Sequence, residues 1–210
     1  MINTTIVGYG EVTSPNIKTY IDRLEQHLST YYPAISWRIY DVRLKKCTLG
    51  DLKQHLKDKV LSYHPNIIFI RLSSQDVDIE RNDFVGKEQL EIYLRELLDE
   101  VIAHNNRTGL NSCIPVPVVI TPPLIYEKPN KKGRTNNRLK QYIYALKGIT
   151  LEKGGVVINL YEEISKRVNK EKYILEEGYG LTQEGENLLY DLIFIELTKL
   201  IDYQGVLKNR

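Results

Sequence analysis

The chain has 210 residues, 42% hydrophobic and 27% charged, a composition that matches a soluble globular protein with one well-buried core. Lys and Arg number 29 against 27 Asp and Glu, and a net charge of +2 gives no general reason to expect nucleic acid. No apolar run approaches the roughly 20 residues needed to cross a bilayer, so no membrane association is expected and residues 1–210 read as one domain.

Short apolar runs alternate with longer segments of helical period, the pattern of a parallel sheet covered on both faces. The first strand is expected near Thr5–Gly8. A helix follows Pro15, with Ser14 as its cap and Ile17, Tyr20, Ile21, Leu24 and Leu28 on one face. Strand two is placed at Ile35–Tyr40, a helix at Thr48–Tyr63, and strand three at Asn66–Leu72, the most apolar of the set. A helix over Lys87–His104 leads to strand four, Val116–Thr121, which Pro122 and Pro123 bring to an end. Next come a helix over Asn136–Leu151, a short strand at Val156–Asn159, a short helix at Tyr161–Val168 and a last helix over Thr182–Tyr203. Between strand four and the next helix, Lys128–Arg138 is basic and rich in turn formers, and reads as a mobile solvated loop. The fold class implied is α/β: a three-layer α/β/α, flavodoxin-like domain with a five-stranded parallel sheet in the order 2-1-3-4-5.

Cys47 and Cys113 lack the spacing of a zinc site and are too few for a disulfide scaffold, so both read as small buried hydrophobes. The chain opens on a strand-like segment without the basic and apolar regions of a signal peptide. A reduced cytoplasmic setting is therefore expected. No phosphate loop, dinucleotide turn or zinc helix is present in the sequence, and no cofactor or metal is implied.

Three segments stand at strand ends or before the last helix: Gly8-Tyr9-Gly10-Glu11, Ser73-Ser74-Gln75-Asp76, and Glu177-Gly178-Tyr179-Gly180-Leu181-Thr182-Gln183-Glu184-Gly185. In order and distance they resemble the sequence blocks of the SGNH (GDSL-type) hydrolases across almost the whole chain. That resemblance implies a Ser-His-Asp hydrolase site with a glycine N–H and an asparagine amide in its oxyanion hole. Here the nucleophilic serine would fall on Gly10, the asparagine on Gln75, the acid on Glu177 and the histidine on Gly180. The block glycine after strand two would fall near Lys46 or Cys47. The four residues that give the family its name are thus replaced.

A substitute base is hard to find. His27, His64 and His104 lie late in helices or just before strands, toward the opposite edge of the sheet, and His55 is in mid-helix. Thr13, Ser14, Ser73 and Ser74 are hydroxyls near the expected crevice, with Glu11, Asp76 or Glu177 as acids, and turn or helix capping accounts for them more simply. Three readings follow. The first is a protein without serine esterase activity that binds a small ligand or a protein partner in a crevice lined by Tyr9, Gly10, Glu11, Ser74, Gln75, Asp76, Glu177, Tyr179 and Gly180. The second is an esterase or acyl transferase with a rearranged site, and the third a structural or regulatory subunit. The acids would favour a neutral polar or cationic ligand over an anion.

Overall fold

The computed structural model describes residues 2–12, 17–104, 114–130, 132–176 and 180–201. Five strands, β1 (Ile2–Gly10), β2 (Ile35–Asp41), β3 (Ile67–Arg71), β4 (Val116–Ile120) and β5 (Val156–Ile158), form one sheet in the order β2-β1-β3-β4-β5. Every pairing is parallel, and the expected strand order holds. The helices are α1 (Tyr20–Tyr31), α2 (Leu49–Lys59), α3 (Lys87–Ala103), α4 (Asn136–Glu152), α5 (Leu160–Ser165) and α6 (Gln183–Leu200).

Two apolar clusters divide the helices into the two outer layers. Val7, Tyr9, Ile68 and Ile70 pack with Leu52 and Leu56 of α2, Leu94 and Leu97 of α3, and Ile143 of α4. Ile6, Ile67 and Phe69 pack on the other face with Leu24 of α1, Leu160 of α5 and Leu189 of α6. Strand alternation explains the split, because neighbouring side chains leave opposite faces of the sheet. In β3 every residue is buried, as expected of a parallel strand covered on both sides.

Helix boundaries differ from the periodic reading where capping chemistry takes over. α1 begins at Tyr20 and leaves Ile17 outside, because the Asp22 carboxylate accepts from both the backbone N–H (2.7 Å) and the hydroxyl (2.9 Å) of Thr19. The expected Ser14–Pro15 start lies outside the described residues. Thr48 and Asp51 open α2 in the same way, at 2.8 Å for both contacts. β1 runs further than expected, and Glu11 continues it through a bridge to Leu44.

The basic segment 128–138 is docked where it is described, contrary to its reading as a mobile loop. Ile79 N–H donates to the Gly133 carbonyl (3.0 Å), and Arg138 donates to the Val77 carbonyl (3.1 Å). Arg134, 7% exposed, reaches the Ser74 hydroxyl at 3.2 Å and Asp78 at 3.5 Å. The acidic turn after β3 thus gives these arginines partners that local composition does not reveal.

Candidate functional site

At the carboxyl end of the sheet, β1 and β3 run side by side with Gly10 opposite Arg71. Gly10 has φ +106°, and a Cβ built there would lie 2.0 Å from the Arg71 carbonyl oxygen. The same carbonyl accepts from Glu11 N–H at 3.0 Å, while Leu44 N–H donates to the Gly10 carbonyl at 2.7 Å. Backbone pairing on both sides therefore holds this residue in a conformation and a space that admit glycine alone. Gly180, where the resemblance puts a histidine, also has positive φ, +103°. Lys46 has φ 49°, a left-handed backbone of the kind glycine adopts without strain, and is one of the two residues, with Cys47, near which the resemblance puts a glycine.

Tyr9 does not line a crevice. It follows Val7 on the face toward α2, is 0% exposed, and donates its hydroxyl to the Leu52 carbonyl at 2.6 Å. Burial holds its phenol well above the usual range. Glu11, two residues on, is buried and accepts from the Gln75 amide at 2.8 Å. Gln75 in turn accepts from Arg81, whose guanidinium forms a two-point pair with Asp83 at 2.6 and 2.8 Å. Ser73 caps the turn after β3, accepting from Gln75 N–H at 3.1 Å, and Ser74 is buried beneath Arg134. Glu11, Gln75 and Arg81 are thus joined in one hydrogen-bonded network, while Ser74 beside them is bonded to Arg134. Glu177 and Tyr179 lie outside the described residues.

Beside this network is a cavity of about 350 Å³ between α2, α3 and the turn after β3. Gln75 and Asp76 reach it, together with Asp51 of α2, Arg81, Phe84 and Tyr93 of α3. Asp76 accepts from Leu49 N–H at 2.9 Å through Oδ1, at the first turn of α2. Burial is the largest influence on Asp76 and pushes its carboxyl up to about 7, with Glu11 and Asp51 adding to the rise and Leu49 N–H and Arg81 opposing it. Cys47 nearby is 2% exposed, and burial with the same carboxylates pushes its thiol up to about 12, so it is an inert thiol.

On the other face of the same sheet edge, Arg71 and Glu186 form a buried ion pair at 2.6 Å, 1% and 0% exposed in their side chains. Arg43 is held by Asp41 (2.5 Å) and the Thr19 hydroxyl (2.9 Å), with its guanidinium over the Tyr20 ring. Arg43 Nη1, Arg71 Nε and the Tyr20 hydroxyl are buried without a hydrogen-bond partner among the described residues. The histidines lie elsewhere. His27 bonds Tyr190, and His64 and His104 stack on each other at 5.4 Å, near the amino end of β3. Among the described residues no group of three His, Cys, Asp or Glu is arranged to hold a metal.

The sequence reading missed Arg71, Glu186, Asp51, Arg81, Phe84 and Tyr93. Arg71 carried a signal, since one charge at the end of an otherwise apolar strand requires a buried partner. Glu186 reaches Arg71 only through the packing of α6 on the sheet, and the others become neighbours only through the turn after β3 and the packing of α2 on α3.

The α/β/α sandwich that carries these residues is a fold shared with solved structures of hydrolases. A lipase/acylhydrolase from Enterococcus faecalis superposes with a TM-score of 0.76 at 18% identity, covering 99% of this chain and 98% of that one. The acetylxylan esterase Axe2 from Geobacillus stearothermophilus matches with a TM-score of 0.74 at 16% identity, covering 99% and 97%. A catalytic mutant of Axe2 with a serine changed to alanine matches at 0.73 and 16%, with the same coverage. At these identities the likeness is one of fold. No protein-family model matches the chain, and no curated relative is found for it. No helix among the described residues is long and apolar enough to cross a membrane.

Proposed function

We propose that this protein uses an SGNH-hydrolase-type fold, as one cytoplasmic domain, to bind a small polar ligand rather than to hydrolyse esters through a serine. The observation that carries the reading is Gly10: its φ of +106° and the carbonyl 2.0 Å from any Cβ leave no room for a nucleophilic side chain there. Other features support it. Catalytic mutants of Axe2 are changed at a serine, and at an aspartate and a histidine three residues apart. The same spacing here joins Glu177 to Gly180, whose backbone has positive φ and whose identity supplies no base. The cavity beside Asp76 is the place for the ligand, with a volume at the lower end of the range of small-molecule sites.

The test is direct. The purified protein, offered p-nitrophenyl acetate and butyrate, is expected to release nitrophenol at the rate of buffer alone, and a fluorophosphonate probe is expected to leave it unlabelled. Stoichiometric labelling of one serine, with matching turnover, overturns the proposal.

A further inference from the structure

The charge inventory of the cavity narrows the ligand further, and the step rests on the binding reading above. Both cations at its wall are already engaged, Arg81 by Asp83 at 2.6 Å and Lys53 by Glu96 at 2.8 Å. Asp51 and Asp76 form no ion pair among the described residues. Asp51 spends Oδ2 on the amide and hydroxyl of Thr48, and Asp76 spends Oδ1 on Leu49 N–H. No donor among the described residues is recorded for Asp76 Oδ2, which belongs to a side chain that lines the cavity. Phe84, 36% exposed, and Tyr93 supply aromatic surface to the same space. Two carboxylates outside any ion pair among the described residues, a spare acceptor and two aromatic rings are the surroundings that hold an ammonium ion: the oxygen takes the N–H, and ring faces attract the charge.

We infer that the cavity takes a small organic cation, a primary or secondary amine on an aromatic or aliphatic body, with the ammonium on Asp76 and the body against Phe84 and Tyr93. A carboxylate or phosphate ligand would meet Asp51 and Asp76 at close range and is excluded on charge. Binding depends on pH through Asp76, which is faced by Glu11 from the end of β1, Asp51 from α2, Cys47, Arg81 and Tyr142 from α4. A bound ammonium favours the ionised carboxylate, so affinity falls as Asp76 takes up its proton.

Benzylamine, benzyl alcohol and benzoate share one body and differ in charge, and amide NMR shifts report each on the full chain. Benzylamine at concentrations up to about 10 mM is expected to perturb Gly50, Asp76 and Tyr93 saturably, benzyl alcohol at least about fivefold more weakly, and benzoate not at all. From about pH 8 to about pH 5.5 the benzylamine affinity is expected to fall by about tenfold or more. Asp76→Asn keeps an oxygen for Leu49 N–H and so should fold, yet is expected to lose at least about tenfold in affinity. Tyr93→Leu, which keeps an apolar side chain, is expected to lose about two- to fivefold. Absence of benzylamine binding, or binding unchanged in Asp76→Asn, overturns the inference. Equal binding of benzyl alcohol or benzoate at these residues overturns the cationic class and leaves the binding reading standing, whereas serine labelling in the esterase test removes that reading itself.

Discussion

Two glycines show how one residue type carries opposite energetics at two places. Gly10 has a left-handed backbone pressed against the Arg71 carbonyl, so an added methyl has to displace backbone that is paired on both sides. Gly10→Ala is expected to cost more than about 2 kcal/mol in urea unfolding, through strain at positive φ and overlap. Gly10→Ser should be destabilised likewise and gain no esterase activity, because no base stands ready to deprotonate it. Gly148 lies exposed in mid-α4, and a Cβ there meets nothing within 4 Å. Gly148→Ala is expected to stabilise by about 1 kcal/mol, the difference in helix propensity. A shared sign for Gly10→Ala and Gly148→Ala would show that space and φ at Gly10 do not govern its identity. Tyr9 was legible in the same local terms: alternation puts it with Val7 on the α2 side, which its place in a motif-like segment obscured.

Elements meet at the site through partners distant in sequence, and this is where sequence reading lost its hold. Strand order and the two helical layers could be read from periodicity and chain order, which constrain them locally, and the segments Ser74–Asp76 and Gly10–Glu11 from their resemblance to the hydrolase blocks. The bond from Glu11 to Gln75 spans 64 residues, and the pair from Arg71 to Glu186 spans 115. Nothing local names the partner in either, although the charge of Arg71 at the end of an apolar strand calls for one. The Arg71–Glu186 pair ties β3 to the first turn of α6 in surroundings without solvent, so removing one partner leaves a buried charge. Glu186→Ala is expected to cost about 3–5 kcal/mol by chemical denaturation, with the joint change Arg71→Met and Glu186→Leu recovering most of the loss. A loss below about 1 kcal/mol for Glu186→Ala would mean that water, and not the protein interior, surrounds the pair.

For the molecule as a whole, placing Asp76 between α2 and the turn after β3 couples the cavity to global stability. Its carboxyl titrates near 7 in the folded protein and near 3.8 when unfolded. A carboxyl with a raised folded value binds its proton more tightly when folded, so folding is favoured where it is protonated. Its contribution to stability is accordingly intact below about pH 4, declines as pH rises between the two values, and is fully lost above about pH 7. This is the reverse of the usual salt-bridged aspartate, and it has the same origin as the proposed affinity for cations, a carboxyl that burial penalises when charged, with Glu11 and Asp51 adding to the rise. Asp76→Asn removes the titration while keeping the acceptor for Leu49 N–H. At about pH 8 the variant is expected to exceed the parent by about 1–3 kcal/mol in urea unfolding, a range below the full linkage value because the cavity opens to solvent. Near pH 4 the two curves should meet, and benzylamine at about pH 8 should raise the parent's midpoint by more than the variant's. A constant difference between parent and variant across the whole range would show that Asp76 stays ionised throughout, and would remove the origin assigned to both effects.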